Sequence, residues 1–271
     1  MKAELIEQVR IAPGTTPGLP DRDPGARLGL GGKKDGHRYR DTLLTELADL
    51  QALLWAEDRR AVLLVLQGMD TAGKDGTIRR IFSGVNPQGV RVAGFKAPSD
   101  NELDHDYLWR VHRVVPRRGE LGIFNRSHYE DVAVVRVLDL VEEARWRARF
   151  RHIREFERLL HDEGTTVLKV FLHISRDEQR ERLQARIDDP AKRWKFNHDD
   201  IDMRARWDDF TAAYEEAIAE TSSDWASWYV VPADRKWVRD AVIAELLVST
   251  LRGMDLQRPA APDDLEGLVI P

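Results

Sequence analysis

The chain of 271 residues contains no cysteine. That excludes disulfides, thiolate catalysis and cysteine-based zinc sites, and it favours a reducing compartment. Long apolar runs are missing too. The strongest, AVLLVL at 61–66, is far too short to cross a bilayer. The opening stretch MKAELIEQVRIAPGTTPGLP lacks the apolar core of a signal peptide. A soluble, cytoplasmic protein with no membrane partner is the expectation. Excess positive charge is absent as well. The net charge is −5, which argues against general attraction to nucleic acid and leaves any anion to a local basic patch. The eight histidines show no metal-binding spacing such as H-E-x-x-H. What remains is a chain with 42% hydrophobic residues, enough for a sizeable core, and of a length that suits a single α/β unit.

Residues 11–36 hold four prolines and seven glycines and read as an arm, loose or draped over the body. From Asp41, a plausible N-cap, Leu43, Leu44, Leu47, Leu50 and Leu54 recur at helical spacing. Five short apolar runs then alternate with helical patterns. They are 61–67, 90–96, 121–125, 166–174 and 228–232. Capping boxes at Ser99–Glu102, Ser127–Glu130 and Ser175–Glu178 open three of the intervening helices, the first reaching about Val111. A further helix covers roughly 201–220, and the last runs from about Lys236 to Leu251. Such alternation predicts a three-layer α/β/α domain on a five-stranded parallel sheet. The expected organisation is an arm at 1–40, the domain at 41–252 and a loose tail at 253–271.

The most telling stretch is Gln67–Thr77, QGMDTAGKDGT. Gly68, Gly73 and Lys74 match G-x-x-x-x-G-K between a buried-type strand and a helix. That context makes a phosphate-binding loop. Its binding set is Gly68, Thr71, Ala72, Gly73, Lys74, Asp75, Gly76 and Thr77. Asp75 stands where such loops usually carry the Ser or Thr that ligates Mg²⁺. Asp70, four residues before Lys74, is the expected replacement: a carboxylate that holds a divalent cation against phosphate. Asp75 has a second reading, since an acid in the first helical turn favours the dipole.

The second signal is GIFNRSHYED at 122–131, a strand that ends at Asn125 with Arg126 next. Together with GMDTAGKDGTIRRIFSGVNPQG, FKAPS, RIDDPAKRWKF and VVPADRKW, this stretch resembles the polyphosphate kinase 2 family over about residues 35–252. The resemblance implies a P-loop kinase core with a mobile lid, at about 176–200. It also implies Mg²⁺-dependent (or Mn²⁺-dependent) phosphoryl transfer between inorganic polyphosphate and nucleoside mono-, di- and triphosphates, and assembly into homo-oligomers. Carried over by position, the loop acid and lysine fall on Asp70 and Lys74. The acid and arginine after the second strand fall on Asn125 and Arg126, and the lid arginine on Arg186. Many relatives have Asp at the position of Asn125. Asn there with Glu at the position of Glu130 resembles class III, which accepts both mono- and diphosphates. Glu130 equally fits the capping box.

Arg182 and Arg186 sit one helical turn apart, and both are candidates to close on the transferring phosphate. Lys192 and Arg193 are candidates to steer a polyanion, as are Arg110, Arg113, Arg117 and Arg118. Lys96 is a candidate phosphate contact, and Asp234 and Lys236 are candidates for base recognition. Trp194 and the other tryptophans are expected to pack. Two rivals share these motifs. One is an ATP-dependent nucleoside monophosphate kinase similar to thymidylate kinase. The other is a nucleotide-binding regulator without turnover.

Overall fold

The computed structural model describes residues 2–261. In chain order its elements are α1 (Lys2–Glu7), β1 (Arg10–Ile11), α2 (Lys33–Glu57), β2 (Ala61–Gln67), α3 (Lys74–Ile81), β3 (Val90–Gly94), α4 (Asp100–Leu103), α5 (Trp109–His112) and β4 (Leu121–Asn125). There follow α6 (Glu130–Val137), α7 (Glu143–Asp162), β5 (Thr165–His173), α8 (Arg176–Asp188), α9 (Asp199–Ala205), α10 (Trp207–Thr221), β6 (Trp228–Pro232) and α11 (Lys236–Gly253).

The sheet order is β1-β6-β5-β2-β4-β3. All five expected strands are present and pair in parallel, with β2 between β4 and β5. Every residue of β2 is buried, as an apolar run covered on both faces must be. Helix α2 packs on α11, which lies against β6. Helices α6, α7 and α10 pack on one another, with α7 against β5. The outcome is the expected three-layer P-loop kinase fold with one strand more than expected. The two-residue β1 adds antiparallel to β6, pairing Arg10 with Tyr229 and Ile11 with Trp228.

That strand belongs to the arm, which is draped rather than loose. Leu5, Val9, Ile11 and Leu19 are buried. Glu215 accepts the amides of Gly18 and Leu19, each at 2.8 Å. Asp41 does not cap the first long helix. That helix starts at Lys33 after Gly32. Gly36 lies inside it because a Cβ there would come within 2.2 Å of the Trp237 ring. The glycine marks a close approach of two helices rather than a loop.

Three other local expectations fail for identifiable reasons. The capping box at Ser99 forms, with Glu102 accepting the Ser99 amide at 2.8 Å. The helix does not reach Val111 unbroken, because Asp106 accepts the amides of Leu108 and Trp109 and restarts it as α5. The box at Ser127 does not form. Its hydroxyl accepts from Tyr129 N at 3.2 Å, and α6 begins only at Glu130. The helix expected at 201–220 is split at Arg206, whose guanidinium reaches the Val137 carbonyl. Of the tail, Gln257 N donates to Glu57 at 3.3 Å. Positions 262–271 of the expected loose tail lie outside the described residues. Among the described residues, no helix is long and apolar enough to cross a membrane.

Candidate active site

Parallel register brings the C-terminal ends of β2 and β4 together, with Leu66 opposite Asn125. Open α/β sheets place ligands at this end. The loop from Gly68 to Gly73 leaves β2 here and leads into α3. Gly68 has φ +147°, and a Cβ on it would lie 2.7 Å from the Leu172 carbonyl. Gly73 has φ +105°, with Arg239 Nη1 only 2.1 Å from a virtual Cβ. Neither position accepts a side chain. The first-turn amides that follow have no intrahelical acceptor, so they are available to an anion.

Lys74 folds back under the loop. Its ammonium donates to Gly68 O at 2.7 Å and Met69 O at 3.4 Å. Burial pushes its pKa below that of an ordinary lysine, although Asp70 pulls the other way. Thr71 and Arg126 both adopt left-handed backbone, with φ +64° and +63°. For residues other than glycine this costs about 1–3 kcal/mol, and such strain clusters at functional sites. Arg126 N donates to Leu66 O at 3.1 Å, which turns the chain after β4 toward the loop. The Arg126 guanidinium then meets Asp70 at 2.7 Å and Glu130 at 3.4 Å.

Glu130 therefore turns to Arg126 in the candidate site instead of closing a capping box. Burial raises its pKa above the usual carboxylate range, with Arg126 and Lys74 opposing. Burial also works against the charge of Arg126, but Glu130 and Asp70 outweigh it and hold its pKa up. The Arg126–Glu130 segment is anchored from beneath. Tyr129 donates to Glu157 at 2.8 Å, and Lys169 donates to Glu157 at 2.6 Å and to the Thr221 carbonyl at 2.7 Å. A cavity of about 60 Å³ lies beside these groups, lined by Asp70, Arg126, Glu130, Gln179, Trp207 and Tyr214 among others.

The segment expected as a lid, 176–200, reaches this site, where Gln179 Nε2 donates to Asp70 O at 3.1 Å. Arg186 Nη1 donates to Asp200 at 3.0 Å and to Lys195 O at 3.2 Å. Asn125 Nδ2 donates to Asp75 at 2.6 Å, and Lys195 approaches the same carboxylate at 3.9 Å. Asp75 thus joins the lid to the end of β4, a role that neither sequence reading anticipated.

Arg182 does not share the direction of Arg186. Its guanidinium is spent on the carbonyls of Thr71, Ala72, Ala233 and Asp234 and on Glu178. Lys96 is exposed beyond β3. Lys192 pairs with Asp189, and Arg193 donates to Ile187 O. None of these three meets the loop. Arg110 is buried and holds the Lys96 carbonyl at 2.9 Å, while Arg113 lies over Trp109 and Arg117 over Trp55. Trp194, expected to pack, is 76% exposed. Asp234 accepts the Ser175 amide at 2.8 Å. Sequence reasoning missed Gln179, Asp200 and Arg239, whose importance lies in folded contacts with no local pattern.

The acids at this end of the sheet, Asp70 and Glu130, both meet Arg126, and Asn125 adds an amide oxygen at the end of β4 opposite Leu66, so the side chains that could face a metal here offer oxygens. Asn125 Nδ2 is engaged by Asp75, which leaves its Oδ1 as the acceptor end of the amide. Among the described residues, no three His, Cys, Asp or Glu side chains form a ready-made metal cage. Mg²⁺ is ordinarily held by one or two carboxylates plus phosphates and water. The donor set fits a hard divalent cation that the substrate helps to bind.

Comparison with known proteins agrees with this fold. Residues 31–259 match the family model described as Polyphosphate kinase 2 (PPK2). An AMP/ADP-polyphosphate phosphotransferase of Meiothermus ruber is 57% identical over 240 residues, covering 89% of this chain and 90% of that protein. An ADP-polyphosphate phosphotransferase of Rhodopseudomonas palustris is 46% identical, covering 84% and 83%. The crystal structure of Polyphosphate Kinase 2 from Arthrobacter aurescens TC1 superposes with a TM-score of 0.93 at 41% identity, covering 97% of this chain and 94% of that one.

Proposed function

The chain belongs to the polyphosphate kinase 2 family, and from that premise we propose the substrates and the working residues of its reaction. It is a polyphosphate-dependent nucleotide kinase. Its acceptors are nucleoside mono- and diphosphates, a reading supported by Asn125 with Glu130 and by the Meiothermus ruber relative's name. The observation that carries the assignment is the convergence of Lys74, Asp70, Arg126 and Glu130 at the ends of β2 and β4.

A terminal oxygen of the nucleotide attacks the end phosphorus of polyphosphate. The bond between that phosphorus and the bridging oxygen breaks, and the shortened polymer leaves with the electron pair. The nucleophile is already anionic, so no strong general base is required. Catalysis is then positioning and charge neutralisation. Lys74 and the loop amides hold phosphate oxygens. Arg126, fixed by Asp70 and Glu130, presents its guanidinium at the same place. Arg186 completes the set after it leaves Asp200 for the transferring phosphate. A divalent cation, Mg²⁺ with Mn²⁺ as a substitute, would be held by Asp70 and Asn125 with phosphate oxygens and would neutralise charge there. We place the reaction in the cytoplasm, in keeping with a chain free of cysteine.

The test is to incubate the pure protein with polyphosphate, Mg²⁺ and AMP, ADP, GMP or GDP, with no ATP added, and to separate the products. Di- and triphosphates are expected. From AMP or GMP an ATP-dependent kinase would produce none, from ADP or GDP its products would not depend on polyphosphate, and a non-catalytic binder would return the nucleotide unchanged.

A further inference from the structure

The carbonyls at the tip of the phosphate loop are held in a row by side chains from two helices. Gln179 Nε2 donates to Asp70 O at 3.1 Å. Arg182 Nη1 donates to Thr71 O at 3.0 Å and to Ala72 O at 2.9 Å. Arg239 Nη1 donates to the same Ala72 O at 3.1 Å. Gln179 and Arg182 lie one turn apart on α8, and Arg239 is in the first turn of α11. Two cations from separate helices therefore converge on a single carbonyl.

A trans peptide is planar, so its C=O and N–H point in opposite directions. Holding the Ala72 carbonyl toward the arginines turns the Gly73 amide the other way. The neighbouring peptides obey the same rule. With Asp70 O held by Gln179, the Thr71 amide faces away from α8. With Thr71 O held by Arg182, the Ala72 amide faces away as well, and it is taken by Met69 O at 3.0 Å. Arg239 is fully buried and keeps Asp240 as its counter-ion at 2.8 Å. Burying a guanidinium is costly unless it is paired and bonded. Water would satisfy a surface loop carbonyl at no such cost, so the arrangement favours a positional role.

We propose that Arg182 and Arg239 are positioning residues for phosphoryl transfer. Acting through the Ala72 carbonyl, they aim the Gly73 amide at a substrate phosphate. Arg182 also fixes the stem of α8 to the loop one turn before Arg186, so the lid closes relative to a fixed reference. The proposal rests on the reading of 68–77 as the phosphate cradle.

The experiment is a double-mutant cycle on the full chain, with kcat and KM for polyphosphate measured alongside the melting temperature. Each of Arg182→Gln and Arg239→Gln should lower kcat/KM by roughly 10- to 100-fold, the scale of a small misplacement near the chemistry. Melting temperatures should shift by only a few degrees. Because both side chains hold one carbonyl, the double variant should lose less than the product of the single losses. Wild-type kcat/KM in the single variants, or losses that multiply fully, overturns the proposal. If Arg239→Gln fails to fold, Arg182→Lys decides. It keeps the charge, but one ammonium cannot replace a fork that spans four carbonyls. A fall in kcat/KM at unchanged melting temperature supports the clamp, and a wild-type value overturns it. Lys74→Ala, run in parallel, separates the two claims. If it is fully active, the cradle reading itself fails. If it is inactive while the arginine variants are normal, only the clamp fails.

Discussion

The proposed phosphate loop and the proposed lid both carry cations that we assign to phosphate, and they hold them in opposite ways. Lys74 rests on two neutral carbonyls, those of Gly68 and Met69. Arg186 rests on the carboxylate of Asp200, and Lys195 approaches Asp75. An entering phosphate takes Lys74 without displacing a partner charge. To recruit the lid it must outcompete two acids. Phosphate oxygens make strong, charge-assisted bonds to guanidinium, so the exchange is feasible, but it ties lid engagement to substrate. In the proposed mechanism the loop is a preset cradle and the lid a restrained clamp.

That contrast can be broken most forcefully at Arg186. If it closes on the transferring phosphate, Arg186→Ala should cost about 10³-fold or more in turnover, with a melting temperature within a few degrees of wild type. A loss under tenfold would reduce the lid to a cover. Next come the cradle residues. Lys74→Ala and Asp70→Asn should each lose about 10²-fold in initial rate while remaining folded by calorimetry. Near-normal rates in both would remove the cradle.

Asp200→Asn sharpens the comparison because its sign is opposite. Releasing Arg186 should lower KM for polyphosphate by about two- to fivefold, the scale of a weak, partly buried ion pair. A raised KM would mean that Asp200 assists binding rather than restraining the lid. The smallest effect concerns pH. Burial places the Lys74 pKa below that of an ordinary lysine, and the residue must be protonated to hold phosphate. Raising the pH therefore removes its charge earlier than for a solvent lysine. The alkaline limb of kcat/KM should begin below the usual lysine range and move to higher pH in Lys74→Arg. A limb that is identical in the two proteins would assign it to another group.

The contrast also explains what the sequence made legible. The five parallel strands and the loop were readable because each is written in contiguous residues: apolar runs, and glycines at positions no side chain can occupy. The strand Arg10–Ile11 was not, since two residues carry no period and its pairing is decided by β6. Gly32 and Gly36 suggested an arm, whereas Gly36 is demanded by Trp237 across the helix pair. Ser127 and Glu130 have the spacing of a capping box, but Ser127 turns to Tyr129 while Glu130 turns to Arg126. Spacing alone cannot reveal that choice. Arg182 and Arg186 share a helical face by spacing. Only the fold puts loop carbonyls under one and Asp200 beside the other.

The central claim is that Asp70 recruits a divalent cation to make this acidic pocket hospitable to condensed phosphate. The most direct measurement is the Mg²⁺ activation curve for polyphosphate-driven ADP phosphorylation, recorded for wild type and Asp70→Asn at saturating substrates. The account predicts no activity in chelator and a half-activating Mg²⁺ concentration raised at least about tenfold in the variant, as expected when a charged ligand is lost. Superimposable curves, or full activity in chelator, would contradict it.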